Sequence, residues 1–193
     1  MKIAIYDTTL RDGSQTEGIS YSLQDKITIA RRLDEFGIDF IEGGWPFSNP
    51  KDKELFAYFR KHPLKKAKLT AFGSTAHPSR PASKDKNLQS LVKAGTEYVT
   101  IFGKSWDLHV REVLKVSLEK NVSLIFESVA FLKKQSRRVF YDAEHFFDGY
   151  KANPDYALKT LKAALDAGAE LGVLCDTNGG ALPKEIMTIA EMV

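Results

Sequence analysis

The sequence predicts an α/β fold built from repeated strand–helix units with parallel strands. Short apolar runs alternate with stretches of helical periodicity along the whole chain. Three helical stretches also stop alike, in DEFGID (34–39), VKAGTE (92–97) and DAGAE (166–170), where a glycine follows the last apolar position and a strand begins at once. Glycine tolerates the left-handed conformation that such a helix end needs. Finally, polar residues gather just after the strands. Repeated βα units force parallel strands, and right-handed crossovers leave two candidates, a doubly wound sheet or a closed barrel.

The elements follow in order. KIAIY (2–6) is the first strand. Ser22, with Asp25 three residues later, has the capping-box pattern and opens a helix whose Leu23, Ile27, Ala30, Leu33 and Phe36 share one apolar face. Gly37 ends it. IDFIEGG (38–44) is the second strand, and Asn49-Pro50 starts a helix with Leu55, Tyr58 and Phe59 on one side. KLTAFG (68–73) is the third strand, followed by a helix from Ser83 to Gly95 carrying Leu88, Leu91 and Val92.

TEYVTIFG (96–103) is the fourth strand. A helical stretch then runs from Trp106-Asp107 to about Gln135, with a break expected around Asn121. Its second half, NVSLIFESVAFLKKQ, is rich in β-branched residues, yet Ile125, Val129 and Leu132 keep helical spacing over a length strands rarely reach. RRVFYDAEH (137–145) is the fifth strand, and Asn153-Pro154 opens a helix with Leu158, Leu161 and Leu165 inward. AELGVLCD (169–176) is the sixth strand. ALPKEIMTIAEMV then begins a sixth helix, with Ile186, Ile189 and Val193 on its apolar stripe.

Composition narrows the function. The chain has 193 residues, 43% of them hydrophobic, and a net charge of +3, which suits a globular protein with one sizeable core. No apolar run reaches the roughly 18 residues needed to span a bilayer, and MKIAIYDTTLRDG turns polar too soon for a signal peptide, so the expected location is the cytoplasm. The basic pairs alternate with acids on helix surfaces, which argues against a nucleic-acid partner. Cys175 has no cysteine to pair with, and no zinc-finger spacing occurs.

Asp7, Arg11 and Asp12 follow strand one, Glu42 lies in strand two, and Ser74 and His77 follow strand three. Lys104, Ser105 and His109 follow strand four, Tyr141, Asp142, Glu144 and His145 lie on or after strand five, and Asp176, Thr177 and Asn178 follow strand six. Both candidate folds place their ligands at the C-terminal strand ends. Loop polarity alone does not explain the acids Asp7, Glu42, Glu144 and Asp176 inside or at the ends of apolar strands. There is no GxGxxG, P-loop or GxSxG pattern. Carboxylates, an arginine and scattered histidines suit a hard divalent cation that polarises a carbonyl, with a general acid or base nearby, and hence enolate chemistry.

The stretch IYDTTLRDGSQTEG (5–18) resembles the signature of the DRE-TIM metallolyase superfamily. IEGGWPFSNP (41–50), KSWDLHV (104–110), YDAEHFFDGYKANPDYA (141–157) and LCDTNGGALP (174–183) extend the match in order over essentially the whole chain. Together they resemble the citramalate synthase branch of the 2-isopropylmalate synthase family. The resemblance implies a (β/α)8 TIM barrel and a Claisen-type condensation of acetyl-CoA with a 2-oxo acid, pyruvate for citramalate, assisted by a divalent metal ion (Mg, Mn or Zn). It also implies a homodimeric full-length enzyme. On the matching positions, Asp12 would bind the metal, Arg11 would stabilise the developing alkoxide, and Glu144 would be catalytic. Thr177 would hydrogen-bond the substrate carboxylate, and Tyr141 and Phe72 would line the pocket. Glu42 would orient Arg11 or meet substrate, with Gln15 and His109 also on the substrate side. Cys175 is expected to be a core residue.

The family completes its metal site with a His-x-His pair on a seventh strand, and this sequence contains none. A complete barrel needs about 250 residues. Residues 1–193 are therefore expected to be the first six βα units of a catalytic domain, inactive alone. The alternatives are a 2-isopropylmalate or homocitrate synthase, another metal-dependent aldolase or lyase of the superfamily, or a non-catalytic partial barrel serving binding or assembly.

Overall fold

The computed structural model describes residues 3–193, so Lys2 of the expected first strand lies outside the described residues. Its strands are β1 (Tyr6–Asp7), β2 (Phe40–Gly44), β3 (Lys68–Ser74), β4 (Tyr98–Lys104), β5 (Arg138–Glu144) and β6 (Leu171–Leu174). They are hydrogen-bonded neighbours in chain order, and the pairs β1–β2, β2–β3 and β5–β6 are parallel. A doubly wound sheet reverses its order at a switch point, whereas a barrel keeps it. The helices are α1 (Leu23–Phe36), α2 (Pro50–Lys61), α3 (Lys86–Ala94), α4 (Asp107–His109), α5 (Leu118–Lys134), α6 (Phe146–Ala152), α7 (Pro154–Asp166) and α8 (Pro183–Met192).

The chain divides into two compact units, one comprising residues up to Gly73 with Gln89–Thr100, the other Ser74–Leu88 with Ile101–Val193. In the first, the expected capping box forms: Ser22 Oγ accepts from Asp25 N at 3.1 Å, and Asp25 Oδ2 accepts from Ser22 N at 2.8 Å. Gly37 closes α1 with φ 98°. Leu10, Ile27, Ala30, Ile38, Ile41, Leu55, Phe59 and Ala67 form the core, each large side chain contributing about 1.5–3 kcal/mol by leaving water. Phe36 departs from expectation, 84% exposed at the end of α1. Asp34 is buried instead and accepts from the backbone N–H groups of Lys65, Lys66 and Ala67, which pins the approach to β3. Strand β1 is shorter than its sequence pattern, since only Tyr6 and Asp7 pair in register with β2; Ile3 and Ile5 are exposed, although Ile5 O still accepts from Phe40 N at 3.0 Å.

In the second unit, Leu124, Ile125, Val129 and Leu132 of α5, Val139, Phe140, Tyr141 and Ala143 of β5, and Tyr156, Ala157, Leu161 and Ala164 of α7 are buried. Helix α3 starts after Asp85, not at Ser83, because Asp85 Oδ1 takes the N–H of Leu88 at 3.0 Å. The break in the long helical stretch falls at Lys115, in left-handed backbone after a π turn over Val110–Leu114, rather than at Asn121. Ser117 then caps α5, and Asn121 sits buried in its first turns, donating to Lys104 O and Tyr156 Oη at 2.8 Å each. Helix α6 was not expected. It fits because Gly149 lies against the Ser105 carbonyl, where an added Cβ would come within 2.6 Å of the oxygen. Leu165 and Val193, expected inward, are about half exposed, while Ile189 is buried as expected.

Candidate active site

Two polar clusters stand at C-terminal strand ends, one in each unit. In the first, the loop after β1 is shaped by Asp7, which accepts from both the backbone N–H and the hydroxyl of Thr9 at 3.0 Å. Asp7 is therefore a loop-holding residue. Arg11 follows, its Nε donating to Glu42 Oε1 at 2.5 Å and its Nη1 to Asp12 Oδ1 at 2.8 Å. The guanidinium carbon lies 3.8 Å from the Phe72 ring centroid, a stacked position that suits a planar cation.

Glu42 is 0% exposed. Burial pushes its carboxyl above the usual range, opposed by Arg11 and by the hydrogen bond from Tyr6. The Tyr6 hydroxyl donates to Glu42 Oε2 at 2.6 Å and lies 2.9 Å from Thr70 Oγ1 and 2.7 Å from Thr100 Oγ1. Burial and the neighbouring Glu42 hold that hydroxyl well above its ordinary pKa. Glu42 thus orients Arg11, and Asp12, with 62% of its side chain exposed, is the outward carboxylate of the group. Gln15, at the end of the short turn Gly13–Gln15, is exposed outside this arrangement.

In the second unit, Lys104 Nζ at the end of β4 donates to Glu144 Oε2 at the end of β5 at 2.5 Å. The next residue, His145, has left-handed backbone with φ 54°, a conformation few non-glycine residues adopt. Thr177 holds it there, its Oγ1 accepting from His145 N at 2.9 Å. The His145 ring is 3.0 Å from Asp148 Oδ2, which also accepts from Asn178 at 2.9 Å. His109 sits edge-on to His145, with ring centroids 4.5 Å apart, and against Trp106 at 4.8 Å. Its Nδ1 is buried and has no hydrogen-bond partner among the described residues. Burial first, then His145 and Lys104, lower its pKa.

The structure therefore brings Arg11, Asp12, Glu42 and Phe72 together in one cluster, and Glu144, His109 and Thr177 in the other. Tyr141 is the correction. It is 0% exposed and turns toward Gly103 and Ile125, since a Cβ at Gly103 would meet the Tyr141 hydroxyl at 2.7 Å and Ile125 at 3.2 Å. Successive strand residues face opposite sides, so Tyr141 and Glu144, three apart, cannot serve one pocket. Asp176 also has a local task, accepting from the N–H groups of Gly180 and Ala181 at 3.2 and 3.1 Å. Cys175 is partly buried, its thiol 3.7 Å from Val173 O. Sequence reasoning missed Lys26 and Asp52, which are buried.

Among the described residues no three His, Cys, Asp or Glu side chains come together to hold a metal ion. Asp12 alone does not fit a divalent site, which needs several protein ligands for affinity and geometry. No helix among the described residues is long and apolar enough to cross a membrane.

Parallel βα units in consecutive order, with ionic clusters at the strand C-termini, define the class of β/α-barrel proteins. The chain belongs to the HMGL-like family, whose pattern matches residues 2–193. It is 60% identical over 192 residues to the (R)-citramalate synthase of Aquifex aeolicus, covering 100% of this chain and 36% of that protein. With the 2-isopropylmalate synthase of Sulfolobus acidocaldarius it shares 33% identity over 192 residues, covering 100% of this chain and 47% of that protein. Among solved structures, the HMG-CoA lyase of Bacillus subtilis superposes with a TM-score of 0.79 at 19% identity, covering 99% of this chain and 63% of that one. The fold is a partial (β/α)8 TIM barrel of six βα units.

Proposed function

We propose that residues 1–193 are the N-terminal part of the barrel of a citramalate synthase, an acyltransferase that condenses acetyl-CoA with pyruvate and water to give citramalate and free CoA. The carrying observation is the gap between 60% identity to a citramalate synthase and 33% to a 2-isopropylmalate synthase over the same length. In this reading the thioester loses an α-proton, the enolate carbon attacks the pyruvate ketone, and water releases the thiol.

Arg11 has the chemistry to meet the negative charge that develops on the ketone oxygen. Its guanidinium is fixed by buried Glu42 and the Phe72 face, so little reorganisation accompanies that charge. Glu144 beside Lys104 is assigned proton transfer. Thr177, whose oxygen is taken by His145 N, keeps its hydroxyl hydrogen for the substrate carboxylate. Phe72, His109 and Gln15 are assigned to the substrate side and Glu42 to orienting Arg11; Tyr141 is not assigned to the pocket. Asp12 is assigned to a divalent ion (Mg, Mn or Zn) as one ligand, and that ion would polarise the ketone of the 2-oxo acid. The complete enzyme is proposed to act in the cytoplasm as a homodimer, without nucleic acid or membrane.

The test is a thiol-release assay of the full-length enzyme with acetyl-CoA, Mg2+ or Mn2+, and either pyruvate or 2-oxoisovalerate. Preference for pyruvate with citramalate as product is expected. Preference for 2-oxoisovalerate would move the protein to the 2-isopropylmalate branch.

A further inference from the structure

Lys26 in α1 and Asp52 in α2 form an ion pair with only 3% and 6% of their side chains exposed. Such a pair is a poor source of stability, because desolvating both charges offsets most of their attraction. What it does is hold backbone. Lys26 Nζ also donates to Leu10 O at 2.9 Å, one residue before Arg11. Asp52 Oδ2 accepts from Trp45 N at 2.8 Å, just past the end of β2.

The Trp45 ring in turn meets Phe72 edge-on, with centroids 5.8 Å apart, and Phe72 carries the Arg11 guanidinium. Leu10, Lys26, Asp52, Trp45, Phe72 and Arg11 thus close a ring of contacts. Gly44 leaves room for it, since a Cβ there would collide with the Asp52 carboxylate. From this closed ring we propose that Lys26 and Asp52 are positioning residues that set the Arg11 guanidinium by fixing the backbone before it and the aromatic face beneath it. For its kinetic consequence alone, the proposal rests on the citramalate synthase reading.

The test uses the full-length enzyme, with K26M/D52N removing one charge of each sign and K26Q/D52N as an equally neutral variant that keeps a donor for Leu10 O. The first readout is hydrogen exchange of the Arg11 Nε–H, assigned in 15N NMR spectra by its loss in R11K. In K26M/D52N this exchange should quicken by about tenfold or more with the thermal midpoint within a few degrees of wild type; K26Q/D52N should stay near wild type. The second readout is kcat, expected to fall about tenfold or more with little change in the pyruvate KM, an effect that should vanish in an R11Q background. Unchanged exchange in K26M/D52N, or K26Q/D52N and K26M/D52N quickening alike, overturns the proposal. Quickened exchange in an enzyme whose wild type shows no thiol release would leave the positioning role standing and remove the proposed function.

Discussion

Arg11 Nε donates to Glu42 Oε1 at 2.5 Å, and the carboxylate that accepts this bond is 0% exposed. A buried acid therefore sets the direction of a cation at the mouth of a strand end, and the pair is held from behind by the Tyr6 hydroxyl.

Glu42 should make stability depend on pH in a particular direction. Its folded pKa is raised, mainly by burial, above the ordinary 4.5. Between those two values the native state holds more protons than the unfolded chain, so stability falls as pH rises through that window. In E42Q this slope should disappear from urea-denaturation midpoints measured from pH 4 upward. If the proposed function holds, kcat should also drop about 10–100-fold as Arg11 loses its orienting partner.

Asp34 works the other way. Its desolvation is outweighed by hydrogen bonds from Ala67, Lys65 and Lys66, and its pKa lies below 3.8. Its contribution is present above 3.8 and lost as pH falls through the folded pKa. D34A should cost about 1–3 kcal/mol near neutral pH, with the difference from wild type shrinking in acid. Equal losses at pH 7 and pH 2.5 would contradict this.

His109 should titrate below 6.5, since burial, His145 and Lys104 all disfavour its charged form. Its contribution to stability is present above 6.5 and lost as pH falls through the lowered value. A proton NMR titration of the ring checks it, and K104M should move the midpoint upward by removing one of the three causes.

Gly44 has φ 142° and faces the Asp52 carboxylate with no space for a side chain. G44A should lose about 2–4 kcal/mol through backbone strain and overpacking together, measured by denaturant unfolding. A loss no larger than that of an exposed glycine replacement would show that the Asp52 contact yields freely.

Much of this was readable in the sequence because the signals were local. Ser22 with Asp25, Asn49 with Pro50 and Asn153 with Pro154 mark helix starts through groups only a few residues apart. Gly37, Gly95 and Gly168 mark the ends through positive φ. What escaped depends on distant partners. Nothing near Lys26 says that Asp52 and Leu10 O await it. Helix α6 was hidden because Gly149 and the aromatic run FFDGY disfavour a helix until the Ser105 backbone is beside it. The side that Tyr141 takes is itself legible in the sequence, because counting by twos along β5 from Glu144 puts it on the opposite face.

The consecutive strand order also bears on how the chain is made. Each strand hydrogen-bonds to the strand before it in sequence, so a segment leaving the ribosome finds its partner already synthesised. Parallel neighbours wait only for the crossover between them, one or two helices long, so no strand has to wait for a partner made later. Growth of the sheet can thus keep pace with translation, one unit at a time, with the newest strand always the open edge.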